Sequence, residues 1–385
     1  MNKKIWSIVL LVALVAVVAI SAVLAGCGGA TTTTTAAVQT TGAPSDQTTA
    51  GSDTTAATTA SGGGYTFARV SPIASNQVIV QFDTQLKKTA EQLGDKVTIS
   101  DANLSADKQV ADLDTFISMK VNGISTASLG PASVLAYQRV LKAGIPLITE
   151  ISPGPSQTTG FVVDCYQTPD KQADAAKYIA DRIPGAKILV IGGEPVPYIT
   201  YITKNMLKAA PAAGLTVLEH QDNLKDVASN AQTIVQDLLT KYPDVQAIWC
   251  FNEPSALGAA AAVKSAGKTI WNEAGDKKGI IITATNGSPE GIEGVKAGMI
   301  TMTYDGLWTE MGAGVAEELD RLASGQMKLA DAPKIVMLKS VRYDGTNIGT
   351  WIDPAQRTFE KGFLDTLMQG GTDEALISDF LSQQQ

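Results

Sequence analysis

From Tyr65 onward, short apolar runs alternate with amphipathic stretches of helical length, and the alternation passes through the chain twice. Short runs of apolar or β-branched residues mark strands, whereas apolar residues three and four apart mark one face of a helix. Residues 70–73 predict a strand, 78–93 a helix closed by Gly94, 97–99 a strand and 106–119 a helix. Strand 124–127, helix 133–143 and strand 146–151 complete the first pass. A Pro/Gly/Ser/Thr-rich stretch, 152–160, intervenes before 161–163 leads into a helix over 171–182. Further strands are expected at 188–191, 215–218, 247–251, 280–283 and 300–303, with helical segments between them. Parallel neighbours need a crossover, which a helix supplies, so such alternation implies a mostly parallel sheet covered on both faces. Two passes predict an α/β protein of two Rossmann-like lobes. Ligands of such sheets sit beyond the carboxyl ends of the strands, and if the lobes face each other those ends line one cleft.

The N-terminus follows another logic. Lys3 and Lys4 precede an apolar run over 5–24, interrupted by the less apolar Trp6, Ser7 and Ser21. About twenty apolar residues suffice to span a bilayer, but the run ends in Leu24-Ala25-Gly26-Cys27. Small residues before a cysteine resemble the lipobox of bacterial lipoproteins, which implies cleavage before Cys27 and a diacylglycerol on its sulfur. Residues 28–64 are almost entirely Thr, Ala, Gly and Ser. They cannot bury enough surface to offset ordering entropy and are expected to form a flexible tether. The chain is therefore expected outside the cytoplasm, lipid-anchored to the bacterial cell membrane.

About 320 residues remain, enough for two lobes with sizeable cores. Losing Lys3 and Lys4 with the leader takes the net charge from −8 to −10, an acidic body that argues against nucleic acid as a partner. Besides Cys27 there are only Cys165 and Cys250, with one histidine, His220. That set supplies no three- or four-ligand metal site. The two cysteines either pair or lie buried as free thiols. His220 has no evident nucleophile beside it and reads as an edge residue. No GxGxxG, phosphate loop, HExxH or GxSxG elbow occurs, so neither a catalytic residue nor a cofactor is expected.

The stretch Tyr242-Pro-Asp-Val-Gln-Ala-Ile-Trp-Cys-Phe-Asn252-Glu-Pro-Ser-Ala-Leu-Gly-Ala resembles a second-lobe strand and helix of the type I periplasmic sugar-binding proteins, the ribose-binding relatives. Thr285-Asn286-Gly-Ser-Pro-Glu-Gly is similar to the next strand-end motif, with Asn286 where that family usually has Asp. Ser75-Asn76-Gln77-Val78-Ile79 matches the first-helix region. The resemblance covers about residues 67–338 and implies a ligand role for Asn76, Asn252 and Asn286. It also implies an ABC-type importer, with a membrane permease as partner and a hinge that closes on the solute. Departures accompany it. Val78 and Ile79 stand where two aromatic clamps are usual, Ile151-Ser152 where an Asp-Arg pair is usual, and Ile202 where an arginine is usual, with Tyr198 and Tyr201 nearby.

A sugar site needs fixed donors and acceptors for hydroxyls and a flat apolar face for the ring. The candidate ligand residues are Asn76, Ser152, Asn252, Asn286, Tyr304, Asp305 and Trp308. Each has an ordinary alternative: Asn286-Gly287 as a turn, Asn252 as a cap for the helix from Glu253, Trp308 as core. The expected organisation is leader 1–27, tether 28–64, a first lobe of 65–163 with 308–336, a second of 164–307 with 337–350, and a helical extension, 351–385. Crossings between lobes are expected near 163–167, 304–308 and 337–340. The reading is a monomeric solute-binding lipoprotein of an importer, taking a sugar or similar small polar solute. A sensory lipoprotein shares the same cleft, and a cell-envelope enzyme could use the same lobes.

Overall fold

The computed structural model describes residues 64–152, 154–155, 158–370 and 374–382. The leader, Cys27 and nearly all of the tether lie outside the described residues. The first lobe begins with β1 (Thr66–Ser71), α1 (Gln77–Leu93), β2 (Lys96–Asp101) and α2 (Ala106–Met119). It continues through β3 (Gly123–Ala127), α3 (Pro131–Lys142), β4 (Leu147–Glu150) and β5 (Thr159–Val163). After α4 (Asp164–Gln167) and α5 (Asp170–Arg182) come β6 (Lys187–Gly192), α6 (Pro197–Ala212), β7 (Thr216–Asp222) and α7 (Ala228–Lys241). Then follow β8 (Ala247–Cys250), α8 (Glu253–Ser265), β9 (Ile281–Thr283), α9 (Pro289–Lys296) and β10 (Met302–Asp305). The chain ends with α10 (Trp308–Ala323), β11 (Ile335–Leu338), β12 (Val341–Asp344), α11 (Phe363–Met368) and α12 (Ser378–Ser382).

These strands make two sheets, ordered β11-β5-β4-β3-β1-β2 and β12-β10-β9-β8-β6-β7. All pairs are parallel except β10 with β12. Both sheets share one logic: the chain starts in the interior, steps outward once, then returns to the other side. The order therefore reverses between β1 and β3 in one lobe and between β6 and β8 in the other, and a crevice opens at each reversal. Ile188, Leu189, Val190 and Ile191 are all fully buried, as are β8 residues Ala247 and Ile248. Helices on both faces leave such strands no polar side.

The helices carry their own signals. Asn76 caps α1 by accepting from the Val78 amide at 3.1 Å, and Gly94 closes it at φ 90°. Its buried stripe, Val78, Phe82, Leu86 and Ala90, packs on α10. The contact is tight: a Cβ on Gly312 of α10 would lie 2.6 Å from the Phe82 carbonyl oxygen. The sequence expectation shifts at several places, β7 for instance running on to Asp222 rather than ending at 218. β1 starts at Thr66 and stops before Pro72, because the buried Arg69 breaks the apolar run. The last strand of the second pass occupies 302–305 rather than 300–303. β12 is an edge strand with exposed Val341 and Arg342, and no apolar pattern announces it.

The chain passes between the sheets after Val163, between Asp305 and Trp308, and between Leu338 and Val341. Ser340 donates from its amide (2.8 Å) and hydroxyl (2.5 Å) to Asp164 Oδ1, which ties the third passage to the first. Residues past β12 contact both lobes. Arg357 bridges Asp305 (2.5 Å) and Glu310 (2.9 Å), and the Trp351 indole donates to Asp305 Oδ2 at 2.9 Å. Glu317 of α10 accepts from the Gly362 and Leu364 amides at 2.6 and 2.8 Å, so α11 seats on the first lobe. Asp379 then accepts from the Tyr201 hydroxyl at 2.8 Å, and the buried Phe380 meets the Tyr201 ring edge-on at 4.9 Å. The final helix thereby docks on α6 of the second lobe. Cys165 and Cys250 are separate buried thiols. His220 lies on the edge strand β7, beside Asp222 at 2.8 Å. Among the described residues no helix is long and apolar enough to cross a membrane.

Candidate functional site

Loops leaving the carboxyl ends of both sheets enclose a narrow cavity of about 40 Å³ between the lobes. From the first lobe come Pro72, Ile73 and Asn76 after β1, Val78 and Ile79 on α1, and Ile151 after β4. From the second come Glu194 after β6, Tyr198 and Ile199 on α6, Asp226 after β7, Phe251 and Asn252 after β8, and Asn286 after β9. Tyr166 of α4 and Trp308 at the start of α10 close it from the crossings. Position follows from topology: these are the loops at the two strand-order reversals and their neighbours.

Asp226 organises the centre. Its Oδ2 accepts from the Asn76 amide at 3.1 Å, and its Oδ1 accepts from the Asn252 amide. The first bond joins one lobe to the other. Both asparagines turn their carbonyls to helix caps, Asn76 to Val78 N and Asn252 to Ser255 N, each at 3.1 Å. A second inter-lobe bond runs from Gln77 to Glu290 at 2.5 Å. Asn286 sits at φ 151°, costly for a residue with a Cβ. It is pinned by its amide to the Tyr304 carbonyl (2.9 Å) and by its carbonyl to Gly306 N (3.1 Å) and the Trp308 indole (2.8 Å). The Tyr166 hydroxyl donates to its side-chain oxygen. Tyr166 also meets Tyr198 and Trp308 edge-on, with centroids 6.0 and 5.9 Å apart.

Carboxylates dominate the electrostatics. Glu194 is 9% exposed, and among the described residues neither carboxylate oxygen has a hydrogen-bond partner. Burial pushes it up to about 7 and raises Asp226 as well. Beneath Asn286, Glu253 accepts from Gly287 N at 2.7 Å and Thr303 Oγ1 at 2.5 Å, and burial pushes it up to about 7. Gly193 permits the arrangement around Glu194, since a Cβ there would stand 2.5 Å from the Phe251 ring.

Four of the residues singled out from the sequence, Asn76, Asn252, Asn286 and Trp308, line the cavity. Three do not reach it. Ser152 is buried away from the lining. The Tyr304 hydroxyl turns to Asp174 (2.5 Å) and the Lys171 carbonyl (3.2 Å). Both Asp305 oxygens are taken, by Leu307 N (2.9 Å) and by Trp351 and Arg357, so it braces the second crossing. Glu194, Asp226, Tyr166 and Phe251 were missed in the sequence. Their one signal was position, within four residues of a strand's carboxyl end or on a crossing.

Comparison with known proteins agrees with this geometry. The profile of the periplasmic binding protein domain matches residues 67–327. The ribose import binding protein of Salmonella typhimurium is 26% identical over 276 residues, 70% of this chain and 88% of that protein. The D-allose-binding periplasmic protein of Escherichia coli is 26% identical over 297 residues, 71% of this chain and 90% of that one. Among solved structures, the Actinobacillus succinogenes ABC transporter periplasmic solute-binding protein with bound D-allose gives a TM-score of 0.66 at 22% identity, covering 75% of this chain and all of that one. The Caulobacter myo-inositol binding protein gives 0.66 at 21% identity, covering 74% and 95%. The chain belongs to the type I periplasmic binding protein family.

Proposed function

We propose that this protein is the extracytoplasmic solute-binding component of an ABC importer, holding a sugar or similar small polar solute between its lobes. The observation that carries the reading is the cavity itself, lined from both sheets' carboxyl ends and bridged by the Asn76–Asp226 bond. A solute entering a cavity this narrow requires the lobes to part. The three crossings are the natural hinge, and closure then buries the solute. Sugar-binding relatives matched over 88–90% of their own length support the solute class. The leader pattern ending at Cys27 supports a lipid anchor that keeps the monomeric binding body beside a membrane permease.

The test is to identify, by mass spectrometry, small molecules released from protein purified from its native membranes, then to titrate them by calorimetry and small-angle scattering. An intact solute that binds one per chain and lowers the radius of gyration is expected. Chemical conversion of the solute on incubation, or binding without compaction, would sink the proposal.

A further inference from the structure

The charge inside the cavity is lopsided. Two carboxylates, Glu194 and Asp226, line it, and none of the described lining residues is Lys, Arg or His. Nearby cations are committed or remote. Arg69, behind the wall, gives its Nε to Asp83 at 2.9 Å and an NH group to Glu150 at 2.8 Å. Lys225, next to Asp226 in the chain, is exposed.

Neutral donors are present: the Asn76 and Asn252 amides each give one N–H to Asp226, and the Tyr166 hydroxyl turns to Asn286. A positive charge is not. Glu194, nine-tenths buried, offers two acceptor oxygens that nothing fills. A carboxylate in a dry space either takes up a proton or draws in a donor and a counter-charge together. Around them stand the rings of Tyr166, Tyr198, Phe251 and Trp308, whose faces attract cations.

We infer that the solute is a small hydroxylated amine, an amino sugar or amino polyol, with its protonated nitrogen at Glu194 and Asp226. An ammonium brings three N–H donors and one positive charge, which meets both deficits at once. Hydroxyls on the same molecule face the remaining polar edge at Asn286. A neutral polyol supplies donors without a counter-charge and so favours the protonated form of Glu194, whereas an ammonium favours the carboxylate. The inference rests on the solute-binding reading above and narrows its ligand class.

Matched probes test it by calorimetry on the full chain in mild detergent: D-glucosamine against D-glucose, D-galactosamine against D-galactose, serinol against glycerol. In at least one pair the amine is expected to bind about tenfold or more tighter than its hydroxyl parent. Glu194→Gln, which keeps the shape and removes the charge, is expected to erase that preference, read as the ratio of amine to parent affinity. A neutral parent binding as tightly as its amine in every pair that binds overturns the charge assignment and leaves the solute-binding reading standing. If no pair binds, the molecule released from native protein decides: an amine supports the inference, a neutral solute overturns it, and no solute at all overturns the reading beneath it.

Discussion

Asn252 performs two tasks with one amide. Its oxygen caps α8 through Ser255 N, and its nitrogen holds Asp226 in place. Serine at this position retains a capping oxygen and loses the amide nitrogen that reaches Asp226. Asn252→Ser is therefore expected to unfold within about 1 kcal/mol of wild type while solute affinity falls about tenfold, as Asp226 loses its anchor. Paired melting and calorimetry separate the two tasks, and unchanged affinity would make Asn252 a cap alone. Glu318 poses a different problem. It is fully buried on α10, both oxygens lack partners among the described residues, and burial pushes it up to about 8. In the unfolded chain it titrates near ~4.3. Between those values the folded state holds a proton that the unfolded state has released, so stability is full below ~4.3 and falls as pH rises towards 8, by at most about 1.4 kcal/mol per pH unit. Glu318→Gln should raise the melting temperature at pH 8 and leave it nearly unchanged at pH 4. Wild-type and mutant profiles that run parallel would show that Glu318 is not the titrating group.

At the scale of elements, the C-terminal segment is the part that resists casual reading. Its helices look amphipathic in sequence, and nothing in that pattern says which lobe they cover. The fold divides them, α11 onto α10 and α12 onto α6, because Leu364 and Phe380 find separate pockets. Phe380→Ala should cost about 3 kcal/mol and release α12, visible as faster amide exchange in residues 378–382 with α11 still protected. Uniform loss of protection in both helices would mean that the segment docks as one piece. The strands were legible for the opposite reason. β6 and β8 are buried on both faces, so their identity is written as unbroken apolar runs. β1 was displaced because its centre is an ion-paired arginine, and β12 went unseen because an edge strand owes nothing to apolar periodicity.

For the molecule as a whole, topology was readable and the site only partly so. Repetition of strand and helix is local and leaves a periodic trace. Glu194 and Asp226 lie in loops without one, and their meaning comes from residues on the other lobe, such as Asn76. The same limit holds at the N-terminus, where the lipobox-like ending makes a plain claim: Cys27→Ala should abolish fatty-acid labelling of the chain, and undiminished labelling would refute the anchor. Trp308 allows the cleft to be watched without any label. Its indole is 3% exposed, bonded to the Asn286 carbonyl of the opposite lobe and edged by Tyr166. A swing of the lobes that breaks that bond wets the ring and moves its emission to the red. Trp249, 1% exposed within β8, keeps its surroundings through a rigid-body swing and supplies a steady blue baseline. Trp271 and Trp351 are half-buried and emit as well, so with both replaced by phenylalanine the ratio of red to blue light gauges how far the cleft stands open.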